Sequence, residues 1–158
     1  QAIQVGGPRG VLLAAGETDR ELSFDDTNTG GSFIVFDNTR DLLDVALNFT
    51  RFFAHESCGF CTPCRVGTKL MLNMANKIAN GHGARLDIEQ MERLHGLMTQ
   101  ASHCGLGQSA AVPILTTYQK FPEAFRRRMD DVEYKPAFDV EAAIERSRQI
   151  VAEEARVK

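Results

Sequence analysis

The distribution of hydrophobic and polar residues changes near residue 38 of the chain. Before that point, short β-type runs are separated by turn-rich segments that contain glycine, proline and aspartate. The runs are Ala2 to Val5, Val11 to Ala15 and Ser32 to Phe36. This pattern predicts a small β unit.

After residue 38, apolar residues recur every three or four positions, which is typical of amphipathic helices. We expect a first helix of about four turns that ends before Ser57. A second helix is expected to begin at residues 63–65 and to run to Asn80, with Gly81-His-Gly83 as its stop. The pattern therefore places a short non-helical segment between these two helices, directly after Ser57.

A third helix is expected to open with Asp87 as its N-cap and Gln90 three positions later, and to end before Cys104. A fourth is expected from about Ser109 to Gln119, and a short fifth from Pro122 to Met129. The residues expected to face the core from the first three helices are Leu42, Leu43, Val45, Ala46, Leu47, Phe49, Phe52 and Phe53, then Val66, Leu70, Met71, Met74, Ala75 and Ile78, then Met91, Leu94, Leu97 and Met98.

The last segment, Asp139 to Val157, alternates charged and apolar residues with helical spacing, which predicts a helix that docks on a partner. The whole pattern indicates an α+β protein in three parts. These are a β unit over residues 1–38, an antiparallel helical bundle over 39–130, and a C-terminal extension with a docking helix over 131–158.

Composition limits the classes of function that are open to the chain. It has 158 residues, 43% hydrophobic and 25% charged, which suffices for one ordinary core. No apolar run approaches the roughly 20 residues of a membrane span, so we expect no direct membrane insertion. A formal net charge of -3 argues against a general nucleic-acid role, and the Arg126 to Arg128 triplet is typical of a solvated helix end.

All four cysteines fall into one arrangement, Cys58-x-x-Cys61-x-x-Cys64 followed by Cys104 after a gap of 39 residues. A cubane iron-sulfur cluster needs one thiolate on each of its irons. Three cysteines in a tight turn and one remote cysteine meet that need. The arrangement therefore favours a single 4Fe-4S cluster, and reduced cysteines indicate a cytoplasmic location or the cytoplasmic face of a membrane complex.

Three other uses of the thiols stay open at this stage. Structural zinc prefers two C-x-x-C type knuckles, but the distal half offers only Cys104 with His103 beside it. Disulfides are disfavoured by three cysteines within seven residues, and redox-active thiols are a further option. His55 and His103 could each hydrogen-bond a cluster sulfur or, less favourably, replace a thiolate.

The residues between and beside the cysteines are suited to surrounding an anionic centre. Small and turn-forming residues let the backbone approach such a centre and direct N–H groups at it, and Arg65 adds positive charge that would stabilise a reduced cluster. The N-terminus of the second helix presents further N–H groups. The residues expected to surround the centre are Ser57, Gly59, Thr62, Pro63, Arg65, Gly67, His103 and Gly105.

Two stretches resemble the C-terminal cluster domain of NADH-oxidising flavoprotein subunits. They are Glu56-Ser-Cys-Gly-Phe-Cys-Thr-Pro-Cys-Arg-Val-Gly67 and Ser102-His-Cys-Gly-Leu-Gly-Gln108. The family includes the flavoprotein subunit of complex I, the diaphorase subunit of NAD-reducing hydrogenases and the beta subunit of NAD-dependent formate dehydrogenases. The resemblance implies that the four 4Fe-4S ligands are Cys58, Cys61, Cys64 and Cys104.

Two further stretches, Gly6 to Gly10 and Gly30 to Phe36, resemble the soluble-ligand-binding β-grasp segment that precedes the cluster domain in such proteins. The resemblance thus implies a partial β-grasp-like unit over residues 1–38. The large region that holds FMN and the nicotinamide cofactor in the family has no counterpart before Gln1. We therefore expect a fragment or one half of a split subunit, with FMN and NAD(H) bound elsewhere in the subunit or complex.

The function implied by the resemblance is electron transfer within an NAD(H)-dependent oxidoreductase. The chain would relay single electrons between a flavin and downstream clusters, and would hold no catalytic residue for hydride transfer. The implied partners are the flavin- and NAD-binding part of the subunit, a 2Fe-2S thioredoxin-like subunit and a ferredoxin-like multi-cluster subunit. The local spellings favour hydrogenase or formate dehydrogenase over complex I. The alternative is a structural zinc domain that docks subunits without a redox role.

Overall fold

The N-terminal part of the chain forms a three-stranded antiparallel sheet. The computed structural model describes residues 1–23, 25–27 and 29–157, with the side chains of 154–157 left aside. The strands are β1 (Ala2–Val5), β2 (Val11–Ala14) and β3 (Phe33–Phe36), in the order β2-β1-β3. The three predicted strands are confirmed, although β2 ends and β3 begins one residue inside the expected bounds.

A short turn of 3-10 helix, Gly7–Arg9, joins β1 to β2 and is fixed by several hydrogen bonds. The buried Gln4 side chain donates to the Gly7 carbonyl over 2.7 Å, and the Gly10 N–H donates to the same oxygen over 3.0 Å. The Gly6 N–H donates to the Ser32 carbonyl, also over 3.0 Å, which ties the turn to the chain before β3. These bonds satisfy the backbone of the turn and define its position against the sheet.

Seven α-helices follow in the described part of the chain. They are α1 (Leu42–Glu56), α2 (Thr62–Lys77), α3 (Arg85–Ala101), α4 (Gly105–Ser109), α5 (Val112–Lys120), α6 (Pro122–Arg126) and α7 (Val140–Val157). A wider helical turn, Ile78–His82, continues α2. The first two predicted helices are confirmed, including the break directly after Ser57.

The start of the third helix differs from the sequence expectation. Ala84 is the N-cap and α3 begins at Arg85, so the assignment of Asp87 as N-cap with Gln90 completing a capping box is wrong. The Asp87 carboxylate instead accepts from the Ala84 N–H over 2.8 Å and from Lys77 Nζ over 2.8 Å. Asp87 thus caps the helix from inside its first turn, where a carboxylate satisfies a free N–H.

The predicted fourth helix corresponds to α5, which begins three residues later than expected, and it is preceded by a short helix, α4, that was not predicted. Residues Gly105–Ser109 form α4, and α5 begins anew at Val112 with Pro113 in its second position. Proline has no N–H to donate and favours the first turn of a helix, which explains why a new helix starts here. The fifth predicted helix ends at Arg126, earlier than expected.

The main core lies among the helices. Its buried members are Leu43, Ala46, Leu47, Met71, Ala75, Ile78, Ile88, Met91, Ala111, Ile114, Leu115 and Phe125. Four residues expected to point inward are exposed instead, namely Phe52, Val66, Leu70 and Leu97. The buried face of α2 includes Thr68, Met71 and Ala75. Thr68 can be buried because its hydroxyl donates to the Cys64 carbonyl over 2.8 Å and so keeps a hydrogen bond.

The sheet packs on the helices. Ala2, Leu12, Leu42 and Phe121 form a second buried cluster, which joins β1 and β2 to the start of α1 and to the residue before α6. Lys120 Nζ donates to Glu17 across the same junction over 2.7 Å. The β unit and the bundle therefore share buried surface.

The C-terminal extension behaves differently from the body. Its first part pairs with the first turn of α3, since the Arg85 and Leu86 N–H groups donate to the carbonyls of Val132 and Glu133 over 3.2 and 3.0 Å. In α7, no described side chain is buried. Among the described residues, no helix is both long and apolar enough to cross a membrane.

Candidate metal centre

Two loops that carry all four cysteines meet at one end of the bundle. One loop connects α1 to α2 and holds Cys58 and Cys61, while Cys64 lies in the first turn of α2. The second loop connects α3 to α4 and holds Cys104. The His103 ring packs against Phe60 with ring centroids 5.3 Å apart, so the residue before Cys104 contacts the first loop directly.

A small hydrophobic cluster lies beneath the two loops. Phe53 comes from the last turns of α1, Met98 from the last turn of α3, and Ala110 from the segment after α4, and all three are buried. Each precedes or follows a cysteine-bearing segment closely in sequence. The cluster therefore fixes the ends of the helices from which both loops depart.

The four cysteines differ in exposure. Cys64 is 5% exposed, Cys61 is partly buried, and Cys58 and Cys104 are exposed. All four are free thiols. The centre they define has a buried wall at Cys64 and an open side at Cys58 and Cys104.

The local environment shifts the pKa values of Cys61 and Cys64 in opposite directions. Backbone N–H groups of His103 and Cys64 donate to the Cys61 sulfur and lower the pKa of Cys61. Burial raises the pKa of Cys64, opposed by the Ser57 hydroxyl at 3.3 Å. Charge on Cys61, Cys104 and Cys58 raises it further, so all four sulfurs share one electrostatic environment. A cationic centre among them would relieve that repulsion.

Gly59 in the first loop and Arg65 in α2 hold the shape of this loop. Gly59 has φ 79°, a left-handed conformation that favours glycine. Arg65 donates from Nη1 to the Gly59 carbonyl over 2.6 Å and from Nη2 to Thr62 Oγ1 over 3.3 Å. Arg65 therefore fastens the loop to α2, and because both acceptors are neutral its positive charge stays beside the loop. Pro63 occupies the first turn of α2, as its missing N–H allows.

The helix α4, which follows the second loop, approaches α2 at Gly107. A Cβ atom built there would lie 2.9 Å from Cys64 Cβ and 2.5 Å from Ser102 Oγ, so only glycine permits this approach. Ser102 is buried, and its hydroxyl has no hydrogen-bond partner among the described residues. Gly67 makes a different close contact, with Met98 of α3, where an added Cβ would lie 2.5 Å from the sulfur.

The histidines do not compete for the centre. The His103 ring packs edge-on against Phe60 with ring centroids 5.3 Å apart, and Phe60 is 76% exposed. His55 is exposed, and its ring nitrogen lies 2.9 Å from a Glu56 carboxylate oxygen. His103 thus contributes a backbone N–H and an aromatic contact between the two loops.

Three residues near the centre were not singled out by sequence reasoning. Ser102 lies behind Gly107, Phe60 bridges the loops, and the Arg9 guanidinium lies beside Gly105. Ser102 and Phe60 stand within the cysteine motifs, so attention to every residue of those motifs could have found them. Arg9 comes from the sheet, and its position depends on tertiary packing.

The donor set fits a four-iron cluster. The four thiols are free, and charge on Cys61, Cys104 and Cys58 acts on Cys64, so the four sulfurs lie in one electrostatic environment. Each iron of a cubane needs one thiolate, which these four residues can supply.

Comparison with known proteins agrees with this geometry. Residues 44–128, more than half of the chain, match the family described as the NADH-ubiquinone oxidoreductase-F iron-sulfur binding region. The matched region contains the four cysteines and, apart from the first two residues of α1, the four helices α1 to α4 that lead into or away from their loops. The chain belongs to this family, a 4Fe-4S region of subunits from NADH-linked oxidoreductases.

Among curated relatives, the NAD-reducing hydrogenase HoxS subunit alpha of Cupriavidus necator is 34% identical over 147 residues, which cover 91% of this chain and 24% of the relative. An NADH-quinone oxidoreductase subunit of Rickettsia typhi is 32% identical over 135 residues, which cover 82% of this chain and 32% of the relative. The chain thus spans between a quarter and a third of the length of these relatives.

A solved structure is also similar. The crystal structure of an NAD+-reducing [NiFe]-hydrogenase in the H2-reduced state aligns with a TM-score of 0.86 at 38% identity. The alignment covers 96% of this chain and 27% of that chain. At this identity the likeness extends to both fold and family.

Proposed function

We propose that this chain is an electron-transfer module that holds one 4Fe-4S cluster through Cys58, Cys61, Cys64 and Cys104. The observation that carries the proposal is the contact between the two cysteine-bearing segments, in which the His103 ring packs against Phe60 with centroids 5.3 Å apart and Gly107 lies against Cys64. A contact between segments so distant in sequence is expected where both bind one centre. When bound, such a cluster supplies one-electron redox chemistry.

The protein's own residues position the thiolates and control their surroundings. Cys64 and the packed Gly107 close one side to water, while the backbone N–H groups of His103 and Cys64 stabilise negative charge on Cys61. Cys58 and Cys104 face outward. Electrons therefore enter or leave most readily through that exposed side.

We place the module within a larger assembly. The remaining part of the subunit would bind FMN and NAD(H), and the chain would exchange electrons with a 2Fe-2S thioredoxin-like subunit and a ferredoxin-like multi-cluster subunit. A diaphorase of an NAD-reducing hydrogenase or a formate dehydrogenase is favoured, with complex I as a further host. The proposed location is the cytoplasm or the cytoplasmic face of a membrane complex.

We assign the parts of the chain by their contacts. Residues 1–38 form a partial β-grasp-like unit, residues 39–130 hold the cluster, and residues 131–158 form an extension. The support for the last division is that no described side chain of α7 is buried. The helix is thus available to a neighbouring subunit.

Cysteine variants test the ligand assignment. Each of Cys58, Cys61, Cys64 and Cys104 is changed to Ala, and the anaerobically purified chains are compared by visible absorption and by EPR after dithionite reduction. The four variants should lose the 4Fe-4S spectrum. His103→Ala and His55→Ala serve as controls and should retain it.

Two results would contradict the proposal. A cysteine variant that keeps the wild-type spectrum removes that residue from the ligand set. A colourless wild-type chain that carries zinc would instead support a structural docking role.

A further inference from the structure

Arg9 is a cation that the fold brings to the cysteine loops from the other end of the chain. Its Nη1 atom lies 3.8 Å from the position that a Cβ would occupy on Gly105, the residue after Cys104. Because consecutive Cα atoms are about 3.8 Å apart, this nitrogen lies within about 9 Å of the Cys104 Cα. The charge is therefore next to the exposed side of the proposed centre.

The position of Arg9 is determined by the turn on which it stands. The turn is fixed by the bonds from Gln4 and Gly10 to the Gly7 carbonyl, and Gln4 is buried. The same turn contacts α5, the second helix after the second cysteine loop. Because hydrogen bonds and the contact with α5 both hold the turn, the backbone of Arg9 has a defined position, from which its guanidinium reaches Gly105.

No carboxylate of the described residues neutralises this cation. Among the described side chains, other cations near the junction of sheet and helices have acidic partners, as Lys120 has Glu17 and Arg128 has Asp41. No described carboxylate lies within salt-bridge distance of Arg9. The charge of Arg9 is thus free to act on the thiolates.

Arg65 is another cation beside the cysteines. Its side chain donates to the Gly59 carbonyl and the Thr62 hydroxyl, and because both acceptors are neutral its charge is retained. The structure assigns Arg9 as a further residue that raises the reduction potential of the cluster, by stabilising the negative charge added on reduction. This inference rests on the proposed function and adds to it a residue whose charge sets the reduction potential of the cluster.

The test is a redox titration of the full chain, purified anaerobically with its cluster, for wild type, Arg9→Gln and Arg9→Lys. At a fixed solution potential, the ratio of reduced to oxidised chain should fall about threefold to fivefold in Arg9→Gln. For a one-electron couple this is a midpoint about 30 to 40 mV lower, at 59 mV per tenfold change. Arg9→Lys should stay near the wild-type midpoint.

Salt separates a charge effect from a change in packing. Raising ionic strength from about 0.01 M to about 1 M shortens the Debye length from about 30 Å to about 3 Å, so the midpoints of wild type and Arg9→Gln should converge. The matched control is Arg85→Gln, which removes the same charge at the opposite end of α3, a helix about 25 Å long. The control should leave the midpoint unchanged.

The outcomes distinguish this inference from the proposed function. A wild-type chain without iron and sulfide refutes the proposed function and the inference with it. Loaded chains in which Arg9→Gln keeps the wild-type midpoint, or in which Arg9→Lys falls as far as Arg9→Gln, refute the role of the Arg9 charge alone. If Arg9→Gln does not load, Arg9→Lys decides, because a lowered midpoint there overturns the inference and a wild-type midpoint with wild-type salt dependence supports it.

Discussion

Gly107 is the residue at which α4, directly after Cys104, approaches Cys64 of α2. A side chain there meets Ser102 Oγ at 2.5 Å and Cys64 Cβ at 2.9 Å, and both neighbours are buried. The contact is between a backbone and a packed side chain, so there is little room for adjustment. The geometry of the fourth ligand thus depends on the absence of one methyl group.

Replacing Gly107 by Ala should therefore destabilise the fold by about 1–3 kcal/mol through overpacking. Iron and sulfide content per chain should fall with it. The matched control is Gly96→Ala, a glycine on α3 whose added Cβ meets nothing within 4 Å. This control should gain up to about 1 kcal/mol in helix stability and keep its iron. Equal iron content in both variants would contradict the proposed closeness of the loops.

Arg65 is the other residue whose role the structure defines. Its bonds to Gly59 and Thr62 close the first loop against α2. Arg65→Met should make the loop more mobile, so the cluster should be lost several-fold faster in air. Lys69→Met removes the same charge from an exposed position on the same helix and should not change the rate. Bleaching of the visible absorption measures both rates, and equal rates would exclude the bonds of Arg65 as the cause.

At the scale of elements, α1 delivers the chain to Cys58 and depends on its N-terminal cap. The Asp41 carboxylate accepts from the Leu43 N–H over 2.9 Å and also from Arg128 over 2.8 Å. The cap therefore joins α1 to the end of the bundle. A carboxylate in this position also interacts favourably with the helix dipole.

Asp41→Ala should lower the free energy of unfolding by about 1–2 kcal/mol, as loss of an N-cap generally does. The control is Asp139→Ala, which removes a similar cap from α7, where Asp139 accepts from the Ala142 N–H over 2.9 Å. Because no described side chain of α7 is buried, the main unfolding transition should not move. The free energies of unfolding of Asp41→Ala, Asp139→Ala and wild type are measured in urea, with circular dichroism as the probe. A shift of that transition in Asp139→Ala would show that α7 packs on the body.

Periodicity predicted the existence of the strands and long helices because their apolar faces repeat regularly. It failed where tertiary contacts decide, as at the start of α3, where Lys77 and the Ala84 N–H recruit Asp87. It also overestimated the buried faces of the helices, since the exposed Leu70 and Leu97 share the spacing of core residues. Spacing alone identified the cysteines, but no local pattern could place Arg9 beside Gly105.

At the scale of the whole molecule, the sheet and the bundle are joined by the ion pair between Glu17 and Lys120. The bond from Lys120, aided by the Ala14 N–H, lowers the pKa of Glu17 below its ordinary value of 4.5. A carboxyl group with a lowered pKa stabilises the fold above that ordinary value. The contribution is lost as pH falls through the folded pKa.

Glu17→Gln should therefore be less stable than wild type near neutral pH, by up to about 1 kcal/mol because the pair is partly exposed. The difference should shrink as pH falls below 4.5 and vanish below the lowered pKa of folded Glu17, where Glu17 is protonated in both states. Glu21→Gln, an exposed neighbour, is the control and should match wild type throughout. Unfolding in urea across this pH range gives the result, and a difference that persists in acid would rule out the ion pair as its source.

The central claim is that the two loops enclose a four-iron cluster, and metal analysis of the anaerobically purified chain tests it most directly. The account predicts about four iron and four acid-labile sulfide per chain, with zinc absent. One zinc per chain without sulfide, or thiols that remain free of any metal, would contradict it.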